Sequence, residues 1–170
     1  VAATGSEAEW AARLPSAVLM LAFLAAVIWL PAPWMGPRAR LIVAVVFLTN
    51  LVMIEKARSI EIDGTYACLT GLALLTWLVA WTRRSSRWLL WLVPYAFLLL
   101  AMLEKGPLHL LPLAVLVLVA AIRAGRTREL FCWPHAVGIA LLLLPSVGWY
   151  LVATQRGAAA GTNVEGELWT

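Results

Sequence analysis

Six apolar stretches, separated by short polar breaks, run along the chain: Leu14–Leu30, Leu41–Ile54, Ala67–Trp81, Trp88–Leu103, Leu108–Ile122 and His135–Ala153. A membrane-spanning helix needs roughly 20 residues, with a range of about 17–25. Several of these runs are short of that unless flanking side chains reach outward to the interface. Such flanks are present, since Arg40, Lys56, Arg83 and Arg87 stand just beyond the run ends. The pattern predicts an all-α fold, a polytopic membrane helix bundle of about six transmembrane helices. The competing reading is a soluble α-protein whose apolar helices are buried in one core.

Composition decides between them. Hydrophobic residues make up 63% of the 170 positions and charged residues 13%, against about 45–50% and about 25% in globular proteins. A soluble fold of this size would have too little polar surface to cover its core. Disorder and a disulfide-stapled domain are excluded by the apolar character and by a count of two cysteines. No repeat or low-complexity tract divides the chain, so residues 1–170 are expected to form a single transmembrane domain. The opening Val1, with no charged leader before the first apolar run, and the ending at Thr170 lead us to expect a piece of a longer protein. The stretch Thr154–Thr170 is expected to be a loop entering the remainder.

Loop charges orient the spans. If both termini are extracytoplasmic, the cytoplasmic breaks hold Arg38 and Arg40, then Arg83, Arg84 and Arg87, then Arg123, Arg126 and Arg128. These are eight of the 13 basic residues, opposed by Glu129 alone. The outer breaks hold the other five with the remaining acids, so the positive-inside rule favours this assignment. The net charge of +4 then reflects topology and gives no support for nucleic-acid binding. Of ten tryptophans, Trp29, Trp34, Trp81, Trp88, Trp133 and Trp149 lie near span ends, where an amphipathic ring anchors at the headgroup level. Pro94, Pro112 and Pro145 fall within spans and are expected to kink them. Cys68 and Cys132 fall on opposite faces and cannot pair, and His109 and His135 cannot share a metal.

Charges held near the hydrocarbon boundary of a membrane protein are candidates for function. Two outer breaks carry them. Glu55 to Asp63 contains five charges in nine residues, and Glu104-Lys105-Gly106-Pro107, followed by His109, places a charged pair in a helical hairpin turn. Each could equally be a solvated loop. Both meet the leaflet that the carboxy-terminal segment also meets, and cations with carboxylates at one membrane surface suit a lipid-borne phosphate. Lys105 would bind its oxygens as a point charge and Arg58 in bidentate fashion. A carboxylate such as Asp63 could hold a sugar hydroxyl or a divalent metal. The metal requirement is open. No nucleotide-binding loop, zinc ligand set or nucleophile elbow is present.

Several segments resemble the membrane glycosyltransferases of the GT-C class, in particular the bacterial branch related to aminoarabinose transferase and protein O-mannosyltransferases. Gly5 to Ala17, with Arg13 and Ser16, is similar to the stretch entering an early span of that family. Arg58-Ser59-Ile60-Glu61-Ile62-Asp63 is similar to its Arg, spacer, Asp arrangement. Leu103-Glu104-Lys105-Gly106-Pro107-Leu108 resembles its Thr-Lys-Gly-Pro hairpin, with Glu104 in place of Thr. Pro145 to Val152 resembles its Pro-Trp-Tyr span ending, and Val164-Glu165-Gly166-Glu167-Leu168 the acidic segment that follows. The likeness runs in order over nearly the whole chain.

The resemblance implies an integral-membrane glycosyltransferase of the cell envelope, multi-pass in the inner (plasma) membrane. It would move a sugar from a polyprenyl-phosphate carrier to a lipid, glycan or protein acceptor on the extracytoplasmic face. The implied phosphate ligands are Lys105, Arg58 and Arg13. Asp63 and its neighbour Glu61 would be the donor-site or metal-coordinating acids, with Glu165, Glu167 and His109 as weaker candidates. In the family a carboxylate of the first outer loop acts as general base. It is expected upstream of Val1, so these 170 residues alone are expected to be inactive. Two other readings are a polytopic transporter or flippase fragment and a non-catalytic membrane assembly subunit. Transporters place charges near the midplane, whereas the charges here gather at the interface.

Overall fold

The computed structural model describes residues 9–30, 32–50, 62–107 and 110–159. Among them the regular elements are all helical: α1 (Glu9–Trp29), α2 (Pro37–Thr49), α3 (Ile62–Thr82), α4 (Arg87–Lys105), α5 (Leu110–Arg123) and α6 (Trp133–Ala159). A 3-10 turn, Thr127–Phe131, joins the last two. Each helix falls on one of the six apolar stretches. Three are long and apolar enough to cross a membrane: Asp63–Thr82, Arg87–Lys105 and Trp133–Gln155, of 20, 19 and 23 residues. At about 1.5 Å per residue they reach roughly 28–35 Å, the thickness of a hydrocarbon core. Leu14–Trp29 and Leu110–Arg123 are shorter apolar helices, and α2 has 13 residues.

The helix faces bear out the membrane reading. On α5 a stripe of Leu113, Val117 and Ala121 is buried, yet the rest of its surface is equally apolar, with Leu111, Val115, Leu118 and Ile122 half or more exposed. On α2 Ala44 is buried while Leu41, Ile42, Val46 and Leu48 are exposed. A helix apolar on every side belongs in lipid or in a large core, and these outer faces are exposed among the described residues. Several hydroxyls within the helices bond to carbonyls of their own helix, as membrane interiors favour, although the Thr70 hydroxyl in α3 is buried without a partner among the described residues. Thr76 donates to the Leu72 carbonyl at 2.7 Å, Thr82 to Leu78 at 2.8 Å and Ser146 to Leu142 at 2.7 Å.

The chain divides into two compact units, residues 1–85 and 86–170. In the first, α1 and α2 form an antiparallel hairpin, with Phe23 against Phe47 at 4.8 Å between centroids. Arg40 closes the hairpin by donating to three carbonyls: Nε to Met35, Nη1 to Ile28 and Nη2 to Ala32, at 3.1–3.3 Å. Helices α1 and α3 run parallel. Ser16 hydrogen-bonds Thr65 at 3.1 Å near their starts, and one helical stretch later Phe23 lies across Gly71. A Cβ at Gly71 would stand 2.6 Å from the ring, so any larger residue there would make the ring shift. Helix α3 ends in a Schellman closure (Ser85 N–H to Ala80 at 3.0 Å, Arg84 N–H to Trp81 at 3.3 Å) that puts Arg84 at φ 52°.

In the second unit α4 and α6 also run parallel. Tyr95 lies across Gly138, where a Cβ would stand 2.3 Å from its ring. Ser86 caps α4 by accepting from the Leu89 N–H at 3.4 Å. Helix α5 ends in the same Schellman closure as α3, with Gly125 at φ 64°.

Two details depart from the sequence expectations. Pro112 stands in the first turn of α5, where its missing N–H is harmless, so it does not interrupt that span. Pro94 and Pro145 do fall inside their helices. Trp81 is buried and stacked on Trp77 at 5.2 Å, not set out at the interface. Trp29, Trp34, Trp88, Trp133 and Trp149 are exposed.

Candidate functional site

The hairpin motif is built by the end of α4. Gly106 terminates the helix at φ 95°, ψ −171°, and its N–H donates to the Met102 carbonyl at 3.0 Å. That backbone conformation is essentially restricted to glycine, and Pro107 follows where no amide is needed. The turn leaves Lys105 exposed as the last helical residue and Glu104 half-buried, with Oε2 shielded from solvent.

A cavity of about 270 Å³ opens here, between the last turn of α4 with Lys105, Gly106 and Pro107 and the stretch of α6 carrying Ser146, Val147, Trp149 and Tyr150. Two motifs separated by some 40 positions in the sequence, Lys-Gly-Pro and Pro-Ser-Val-Gly-Trp-Tyr, thus become the two walls of one pocket. Pro145 removes a backbone hydrogen bond in the Ser146 wall. The Ser146 hydroxyl turns away to Leu142, so the polar groups that the walls offer are Lys105, Glu104, Trp149 and Tyr150. The volume is just below the usual range for small-molecule sites; it fits a phosphate with a sugar or the first part of an acyl chain.

Electrostatics limit what Lys105 does alone. At a helix C-terminus the macrodipole contributes roughly half a negative charge. Glu104 adds another carboxylate on the neighbouring residue. The turn by itself therefore carries no positive surplus for an anion. A phosphate there needs a further cation.

The second locus is in the first unit. Asp63 stands in the first turn of α3, half-buried, at the helix end that favours a carboxylate. Two residues on, Thr65 binds Ser16 of α1. The backbone of Arg13, one turn before Ser16, is thereby carried to the same end of the unit as Asp63. Arg58, Glu61, His109, Glu165 and Glu167 lie outside the described residues, as does the side chain of Arg13. Among the described residues no three His, Cys, Asp or Glu side chains gather to hold a metal. Neither Cys68 nor Cys132 is in a disulfide.

Sequence reasoning missed a cluster at the opposite end of the α4–α6 pair. His135 stacks on Trp91 at 3.9 Å between centroids. Its Nε2 meets the Tyr95 hydroxyl at 2.8 Å and its Nδ1 meets the Leu130 carbonyl. A carbonyl only accepts, so Nδ1 donates to it, and with the imidazole neutral Nε2 accepts from the Tyr95 hydroxyl. Nothing in the local pattern around His135 signals partners 40 positions away.

No curated protein and no solved structure matches the chain. The family model of dolichyl-phosphate-mannose-protein mannosyltransferases matches residues 1–150.

Proposed function

The chain belongs to the dolichyl-phosphate-mannose-protein mannosyltransferase family, and from that premise we propose that it serves a membrane glycosyltransferase acting at the extracytoplasmic face of the inner membrane. It is a multi-pass membrane protein of a glycosyltransferase family whose donors are polyprenyl-phosphate-linked sugars. The acceptor is a lipid, glycan or protein hydroxyl or amine. In the reaction the acceptor atom attacks the anomeric carbon as the bond from that carbon to the carrier phosphate breaks. The acceptor's proton passes to a base, and the carrier leaves as polyprenyl phosphate.

The observation that carries the proposal is the cavity joining Lys105-Gly106-Pro107 to Trp149 and Tyr150. An ammonium at its mouth suits the charge that develops on the departing phosphate, and the aromatic wall suits a sugar face or the first isoprene unit. The turn has no positive surplus of its own, so Arg58 and Arg13 join Lys105 as phosphate ligands in this reading. Asp63, with Glu61, holds a sugar hydroxyl or a divalent metal, and His109, Glu165 and Glu167 are secondary candidates. No general base is assigned among these residues.

The test is transfer from a polyprenyl-phosphate sugar by the full-length protein in defined bilayers. Lys105→Gln is expected to lower kcat/KM about 30- to 1,000-fold, the range for removing one charge-stabilising donor, with unchanged helicity and melting. Full activity in a folded Lys105→Gln protein overturns the assignment.

A further inference from the structure

At the end of the second unit where α4 and α6 begin, the arginines are not equivalent. Arg126 is taken up by Glu129: Nε and Nη2 each donate to one carboxylate oxygen at 2.9 Å. Glu129 is the single carboxylate between residues 110 and 159, so this pairing exhausts the local negative charge. Arg87 at the start of α4, Arg123 at the end of α5 and Arg128 in the 3-10 turn are exposed, and none has a hydrogen bond or ion pair among the described residues. The parallel packing of α4 and α6, and the nine-residue link between Arg123 and Trp133, put all three at one end.

The same end carries the two most exposed large apolar side chains among the described residues of the unit, Phe131 and Trp133, together with a third exposed ring, Trp88. Phe131 is 90% exposed, Trp133 73% and Trp88 48%. In a 3-10 turn, residues three apart eclipse one another, so Arg128 and Phe131 project on the same side. A cation beside an outward phenyl ring fits neither water nor the hydrocarbon interior; it fits the layer between them.

We infer that this end of the second unit is a binding site for anionic phospholipid. Arg87, Arg123 and Arg128 take the headgroup phosphates, and Phe131, Trp88 and Trp133 enter the acyl boundary. Guanidinium groups are weakly hydrated and bind phosphate oxygens in pairs. Three of them without a protein counter-ion at a membrane boundary call for an external anion. Glu129 matters by sequestering Arg126, which ties the 3-10 turn to itself and not to lipid. The site is separate from the Lys105 cavity, at the other end of the same helix pair, and does not depend on the transferase reading.

The experiment is native mass spectrometry of the detergent-extracted protein titrated with phosphatidylglycerol or with phosphatidylcholine. The wild type is expected to retain phosphatidylglycerol in preference to phosphatidylcholine. The double variant Arg123→Gln/Arg128→Gln is expected to bind phosphatidylglycerol about 25-fold more weakly, about 5-fold per arginine, with phosphatidylcholine binding unchanged. Arg128→Gln alone, the milder change, is expected to give the 5-fold step with unaltered circular dichroism. Equal retention of the two lipids by the wild type overturns the proposal, as does wild-type phosphatidylglycerol binding by a folded Arg128→Gln or double variant.

Discussion

In the first unit Phe23 lies across Gly71 to bring α1 against α3, whereas in the second Tyr95 lies across Gly138 to bring α4 against α6. Both contacts use a missing Cβ to seat an aromatic ring between parallel helices. They differ in how the ring is held. Phe23 is backed by Phe47, a contact without direction that lets the ring slide. Tyr95 is fixed by its hydroxyl to His135, whose other nitrogen is fixed to the Leu130 carbonyl. In lipid, apolar burial gives helices little reason to prefer each other over acyl chains. A ring tied by a hydrogen bond therefore specifies one register, where a free ring specifies a range.

The largest expected effect follows from the two glycines. Gly138→Ala would drive a methyl into a ring approached at Cδ2, Cε2 and Cγ and unable to swing, and is expected to destabilise by about 3 kcal/mol. Gly71→Ala meets the far edge of an untied ring and is expected to cost about 1 kcal/mol. Unfolding midpoints in mixed micelles would compare them, and equal losses would break the contrast. Next come the polar links. Tyr95→Phe strands the His135 acceptor and is expected to cost about 1–2 kcal/mol, against about 0.5–1 kcal/mol for Ser16→Ala, whose partner Thr65 is only part-buried. The smallest effect tests the two Schellman closures. Arg84→Gly is expected to stabilise by about 0.5 kcal/mol and Gly125→Ala to destabilise by about 1 kcal/mol, because each occupies the same left-handed position. A loss of stability in Arg84→Gly would show that the Arg84 side chain contributes more than its backbone strain removes.

Much of the fold was legible because lipid imposes a simple rule on sequence. Six apolar runs became six helices, and the Gly-Pro pair marked the turn after Lys105 before any geometry was known. Order along the chain also pointed to the family. What the sequence could not disclose were contacts specific to pairs of helices. Arg40 reads as one more cytoplasmic charge until it is seen closing the α1–α2 turn on three carbonyls. Trp81 reads as an interface anchor but packs inward on Trp77, because span ends face neighbouring helices as well as headgroups. His135 had no local signal, and Gly71 and Gly138 look like any other glycine within an apolar run. Of the candidate site, Lys105 could be named from the sequence, whereas Trp149 read as a span-end anchor; that the two wall one cavity depends on α4 and α6 running parallel.

That parallel arrangement makes the Tyr95–Gly138 contact a fulcrum. From Gly138 to Trp149 the helix extends about 16 Å, so a tilt of roughly 5° about the ring displaces Trp149 by about 1.4 Å, comparable with the misplacement that costs an enzyme two orders of magnitude in rate. The width of the cavity beside Lys105 is in this sense gauged about three helical turns away, by a tyrosine that touches nothing in it.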